Sequence, residues 1–177
     1  MQRILQGLVP FIENEQWEEA LLTLEPVAAV DSKFTSTDRA KMFYYRGYIY
    51  FSQEKYGLAE RAYKNLIAEE DSSDQERQGA IYSLSQLRYI AEDYKGSINY
   101  LLEWLDNEEE PSSDGYGLLA QAYYQVENFQ KSVEAIDTAI EIQESRDIPI
   151  KVAVLDAEGN ETGEMIETGE TRKGVAK

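Results

Sequence analysis

The chain has no cysteine and no histidine. Without cysteine there is no disulfide, no thiol nucleophile and no thiolate metal site, and the redox compartment leaves no mark on the sequence. Without histidine the commonest general base and metal ligand is missing, so neither a His-dependent catalytic triad nor a His-ligated zinc site can be assembled. Only carboxylate, lysine or tyrosine chemistry remains, and no spacing singles out a carboxylate pair for a closed pocket. The expectation is a protein without enzymatic activity and without a cofactor. Basic residues are scarce as well, 17 Lys and Arg against 34 Asp and Glu, for a net charge of -17. That balance repels a phosphate backbone, and no basic stripe offsets it, which excludes nucleic acid as a partner. No apolar run approaches the roughly 20 residues that span a bilayer, so direct membrane insertion is not expected. The opening "MQRILQGLVPFIENEQW" has one arginine, a short broken apolar patch and early acids, which is not the form of a signal peptide.

What the sequence does have is tyrosine. The stretch "FYYRGYIYF", residues 43–51, holds six aromatics and an isoleucine and reads by residue preference as a β-strand. Internal repetition overrules that preference. The segments "ENEQWEEALLTL", "SQEKYGLAERAY", "IAEDYKGSINYL" and "QVENFQKSVEAI" share a polar turn followed by an aromatic: Trp17, Tyr56, Tyr94 and Phe129. A small residue follows three positions on (Ala20, Ala59, Ser97, Ser132), and a large apolar one four further (Leu24, Tyr63, Leu101, Ile136). The stretches "DSKFTSTDRA", "EDSSDQERQ" and "EEPSSDGYG" at the ends of units are rich in Ser, Asp and Glu, which suits loops and helix N-caps, Ser73 and Glu76 having capping-box spacing. Between cap and turn lies room for one helix, and after the turn Phe129, Val133 and Ile136 show the apolar spacing of a second. On a helical wheel "FYYRGYIYF" presents three apolar stripes: Phe43, Gly47 and Tyr50; Tyr44, Tyr48 and Phe51; Tyr45 and Ile49. One partner cannot cover three stripes, but a helix inside a stacked array can bury two or more. The small residue after each aromatic lets the two helices of a pair approach closely.

The order Gly47, Tyr50, Tyr56, Ala59, Tyr63 resembles the tetratricopeptide repeat (TPR), whose signature residues mark the crossing of its two helices. Leu8 and Phe11 with Ala20, Ser85 and Arg88 with Ser97, and Ala120 and Tyr123 with Ser132 take the corresponding places; the large polar Arg88 and Pro10, which interrupts a first helix, depart from the pattern. Pro26 is expected to bend or shorten the second helix of unit one. The resemblance implies an all-α, right-handed superhelical array of about four antiparallel helix pairs over residues 1–147, with units near 1–34, 40–73, 78–111 and 113–146. The segments "YSLSQLRYIAEDYKGSINYLLEWL" and "AQAYYQVENFQKSVEAIDTAIE", followed by "IPIK", resemble more narrowly the periplasmic TPR proteins that accompany TonB-type energy-transducing systems. Those proteins begin with a signal peptide and continue into further repeats, so this chain reads as a fragment or a divergent relative, periplasmic by resemblance and cytoplasmic otherwise.

Residues 148–177 are of another character: "KVAVLDAEGNETGEMIETGETRKGVAK" has no helical period and reads as a flexible tail or a short hairpin turning near Gly159-Asn160. Its "DAEGNETGE" has acids and a glycine in the wrong order for a calcium loop, so no metal site is expected. The last helix, roughly Phe129 to Glu144, carries a second apolar edge at Ala135, Ala139 and Ile142, where terminal repeats usually present a polar cap.

In TPR proteins the first helices of the pairs line an inner surface that binds extended or helical peptides. The matching positions here are Tyr44, Tyr48 and Phe51, then Tyr82, Gln86 and Tyr89, then Gln121, Tyr124 and Gln125. Aromatic platforms with amide groups fit recognition of another protein or peptide. The Lys, Arg and Asn clamp that some members use for a C-terminal carboxylate is absent: Leu5, Val9, Tyr44 and Tyr48 stand there, and only Lys41 is basic. The acidic runs "NEEEP" and "AEED" read as solvated helix ends, with Glu69 a surface acid. Two functions follow, a binding scaffold with an aromatic groove, or a self-associating module that forms a homo-oligomer through its C-terminal edge.

Overall fold

A computed structural model describes residues 1–28, 33–146, 149–155 and 161–171. It divides by contacts into two compact units, Met1–Asn107 and Glu108–Lys177.

The first unit is three antiparallel helix pairs: α1 (Gln2–Glu13) with α2 (Trp17–Ala28), α3 (Ser36–Ser52) with α4 (Tyr56–Ala68), and α5 (Asp74–Ile90) with α6 (Tyr94–Asn107). "FYYRGYIYF" lies wholly inside α3, so periodicity prevails over aromatic strand preference. Capping boxes start α3 (Thr35 with Asp38) and α5 (Ser73 with Glu76), satisfying amide donors that would otherwise be orphaned. Helix α1 runs through Pro10 to Glu13 instead of breaking there, and the Pro10 carbonyl accepts from the backbone and side-chain amides of Asn14. Pro26 sits in the last turn of α2, where both it and α1 are 12 residues against 17 for α3 and α5.

The pairs close with one recurring turn. Glu15, Glu54 and Glu92 each adopt φ between 56° and 58°, the left-handed region that a side chain enters at a cost. After each of them an amide bonds five residues back, as Lys55 N does to Tyr50 O at 2.8 Å, and the Glu54 amide bonds to Phe51 O at 2.9 Å. This is the Schellman stop, with glutamate where glycine is usual.

Each pair crosses at the expected small residues: Ala20, Ala59 and Ser97 are fully buried. Opposite them, Leu8, Gly47 and Ser85 are buried too. Among the described residues two clusters pack the helices of this unit together. Leu8, Leu24, Val27, Met42 and Ile49 join α1, α2 and α3, while Ala40, Tyr63, Leu66, Ala80, Leu84 and Leu87 join α3, α4 and α5. Helix α3 therefore buries two of its stripes, one on each side.

Arginines tie successive pairs. Arg46 of α3 donates to Glu25 of α2 at 2.9 Å, Arg88 of α5 pairs with Glu60 of α4, and Arg77 donates to the Ile67 carbonyl at 3.0 Å. Arg88 thus departs from the repeat pattern because it bridges two pairs. Glu69 is not the solvated acid its sequence context suggests. It accepts two bonds from Arg39, each at 3.0 Å, and one from Ser36 Oγ at 2.9 Å. Those bonds, the arginine's foremost, hold its carboxyl below the usual range.

The second unit holds α7 (Ser113–Gln125), α8 (Phe129–Arg146) and a hairpin. Ser112 caps α7 through the Gly115 amide, and Glu127 closes the pair at φ 59°. The Ser132 hydroxyl donates to the Ala120 carbonyl at 2.9 Å where the helices cross. That contact sets the phase of α8 and reverses the expectation about its open edge. Ala135, Ala139 and Ile142 share the Ser132 face, so Ala135 and Ile142 are buried and Ala139 half-buried. The open edge is instead Phe129, Val133, Ile136 and Ile140, between 45% and 58% exposed.

Strands β1 (Pro149–Leu155) and β2 (Glu161–Thr171) pair antiparallel with Val152 opposite Ile166 and Ala153 opposite Met165. The hairpin is longer than "VAVLD" and "EMIE" suggest, and its expected turn at Gly159-Asn160 lies outside the described residues.

Candidate functional site

In the first unit the first helices of three consecutive pairs enclose a cleft of about 230 Å³. Leu5 comes from α1, Lys41, Tyr44 and Tyr45 from α3, and Gln75 and Glu76 from α5. Repetition brings them together: stacking the pairs aligns α1, α3 and α5 side by side, and their open faces meet at α3. Tyr44 stands edge-on to Tyr45 with centroids 5.7 Å apart and remains 37% exposed. Gly79 of α5 leaves room for its ring, since a Cβ built there lies 3.4 Å from Tyr44 Cε2. The ring thus presents a hydroxyl and an apolar face beside Lys41, the single cation among the described residues that line the cleft. Beneath, Tyr63 is buried against Gly47, and its hydroxyl is pushed up to about 12 chiefly by desolvation, with a hydrogen bond to Ser83 working the other way.

The other sequence-predicted residues are arranged differently. Tyr48 is 44% exposed and leans edge-on against Trp17 of α2, centroids 6.5 Å apart. Tyr82 is half-buried on Trp104 at 5.0 Å, and Gln86 is half-buried one turn along α5. Phe51 packs edge-on against Tyr56 at 5.8 Å, Tyr89 against Tyr94 at 5.3 Å and Tyr124 against Phe129 at 5.4 Å. Each of these three pairs is five residues apart and bridges the turn between two helices, so Phe51, Tyr89 and Tyr124 clasp the repeat's signature aromatic. The sequence signal for the clasp was present in the constant five-residue interval, which a wheel drawn for the first helix alone cannot register. Besides Tyr44 the cleft is lined by Leu5, Lys41, Tyr45, Gln75 and Glu76, none of them an expected groove residue: Leu5 and Lys41 were noted at the clamp positions, Tyr45 on another stripe of its helix and Glu76 in a capping box.

In the second unit a separate groove of about 400 Å³ runs between α7 and α8. Gly117, Leu118 and Gln121 line it from one side, and Ile136, Ala139 and Ile140 from the other. Gln121 therefore belongs here, beside the exposed edge of α8, and Tyr124 next to it is 62% exposed.

Helix pairs that cross at small residues and end in a common turn define a TPR-like helical repeat protein. No protein-family profile matches the sequence, and no curated protein matches it. Solved structures do. The chain is similar to a crystal structure of MamA, with TM-score 0.68 and 17% identity over 81% of this chain and 78% of that one. A second crystal structure of MamA protein gives TM-score 0.68 and 16% identity, covering 84% and 78%. Residues 41-end of MamA from Desulfovibrio magneticus RS-1 give TM-score 0.67 and 14% identity, covering 83% and 77%. At these identities the likeness speaks to the fold. Among the described residues no helix is long and apolar enough to cross a membrane.

Proposed function

We propose that this protein is a non-enzymatic interaction scaffold that holds an extended or helical segment of another protein in the cleft of its first unit. The observation that carries the reading is the open cleft between α1, α3 and α5, with Tyr44 and Lys41 on its wall. Tyrosine supplies contact area, a polar tip and little rotamer entropy, the properties of an interface anchor. Tyr44 is the anchor, and Tyr48, Gln75 and Tyr82 extend the surface on either side. Phe51, Gln86 and Tyr89 belong to the broader surface of this unit through the sequence resemblance, and Gln121 and Tyr124 are their counterparts within the second unit.

Panning the intact chain against a displayed library of short random peptides, with enriched peptides then measured singly, tests this. Replacing Tyr44 by Ala should weaken them about thirtyfold, the 2 kcal/mol typical of a central aromatic, while melting holds. Failure to enrich any peptide, or equal affinity after the substitution, refutes the cleft as the site.

A narrower reading makes the protein a periplasmic accessory of a TonB-type energy-transducing system. It rests on the sequence segments alone, and co-purification with the components of such a system from native membranes tests it.

A further inference from the structure

The groove of the second unit has a template in the first. Counted from the aromatic that begins each second helix, Ile136, Ala139 and Ile140 of α8 occupy the places of Tyr63, Leu66 and Ile67 in α4. In the first unit those places are covered. Tyr63 and Leu66 pack with Ala80, Leu84 and Leu87, which lie at i, i+4 and i+7 on one face of α5. Arg77 and Arg88 flank that face, donating to the Ile67 carbonyl and to Glu60. In the second unit the same place is an open groove, continued by the exposed rings and branches of Phe129 and Val133. Beside it Glu134, Asp137 and Glu141 are exposed and, among the described residues, have no basic partner.

We infer that the α7–α8 groove takes one amphipathic helix of a partner protein, seated as α5 is seated on α3 and α4. The interface it would continue is the one that already joins successive pairs in this chain. The helix it fits has a small residue followed by leucines four and seven positions on, with arginine or lysine at its flanks to meet the α8 acids. A second copy of this chain is a poor occupant. In α1, the positions equivalent to Ala80, Leu84 and Leu87 are Arg3, Gly7 and Pro10, all exposed, so the corresponding face of α1 lacks the large apolar knobs that the groove would take. Two chains of net charge -17 also repel one another.

The probe is a helix-stapled, fluorescent peptide copying residues 74–90, titrated against the intact chain by anisotropy. Saturable binding is expected. It should weaken about tenfold or more, as for a lost hot spot, when Ile136→Lys and Ile140→Lys are introduced together, and when the peptide carries Leu84→Asp and Leu87→Asp. Gly117→Leu, which fills the groove from α7 where an added Cβ meets nothing within 4 Å, should block binding by a second route. Tyr44→Ala should leave it unchanged, so this site and the first-unit cleft stand or fall separately. Absence of saturable binding, or equal affinity for the lysine variant, overturns the inference. So does a dimer in sedimentation that the lysine variant dissolves, because the occupant is then a second copy.

Discussion

Replacing Gly47 by Ala should destabilise the protein, although the same change in most helices does the reverse. Alanine is favoured over glycine in a helix interior by about 0.5–1 kcal/mol, so propensity alone predicts a gain. A Cβ at position 47, however, would stand 2.5, 2.7 and 2.8 Å from three atoms of the Tyr63 ring. That ring is 4% exposed and fixed between α3, α4 and α5, so it cannot swing away. Overpacking of a tight core costs about 1–3 kcal/mol, and three simultaneous clashes belong at the upper end. The net expectation is a loss of about 2 kcal/mol, or roughly 4–8 °C in melting temperature for a chain of this size. Gly57→Ala in α4 is the control, since nothing lies within 4 Å of its added Cβ, and it should be neutral or slightly stabilising. The assay is far-UV circular dichroism melting with urea titration, a constant m-value confirming that folding cooperativity is unchanged. Tyr63→Leu should relieve the clash, so Gly47→Ala introduced into that background should cost little. A Gly47→Ala chain as stable as the wild type, or equally damaged with Leu at 63, refutes the close-crossing argument.

Three more outcomes are expected. Glu69→Gln should lower the melting temperature near neutral pH. The folded carboxyl is held below its unfolded value near 4.3, so its contribution is present above that value and fades as pH falls through the folded one; the variants' melting curves should converge in acid. Glu54→Gly or Glu92→Gly should stabilise by about 0.5–1 kcal/mol in urea titration, because glycine removes the left-handed strain at φ 58° and returns only part of the gain as unfolded-state entropy. In an alkaline titration followed by tyrosinate absorbance, one of the 13 tyrosines should ionise late, near pH 12, and be missing in Tyr63→Phe. Since that hydroxyl's folded value is raised, its contribution is complete below about pH 10 and lost as pH rises toward 12.

The repeat was legible because its marks are local. Trp17, Tyr56, Tyr94 and Phe129, each followed by a small residue three positions on, announce a turn and a helix crossing without reference to anything distant. Ser73 and Glu76 declared a helix start in the same way. The turn glutamates were equally visible, one before each aromatic by two positions, but their positive φ is a property of the closed turn. The candidate site was half legible. Tyr44 was placed among the open-face residues by its wheel position, yet the same wheel grouped it with Phe51, whose neighbour Tyr56 belongs to the next helix.

What the sequence by itself determined is the count of helix pairs and their starts, turns and crossings, since each depends on residues within about one turn of each other. Only the tertiary structure decided which apolar stripe is left open. On α8 the Ser132–Ala120 contact rotates Ala135 and Ile142 inward and leaves Phe129, Val133, Ile136 and Ile140 outside. Likewise Glu69 is a surface acid until Arg39 and Ser36, 30 and 33 residues away, fold against it. A helix has several faces of similar hydrophobicity, and choosing among them is a comparison of packing energies between elements, which no local pattern contains.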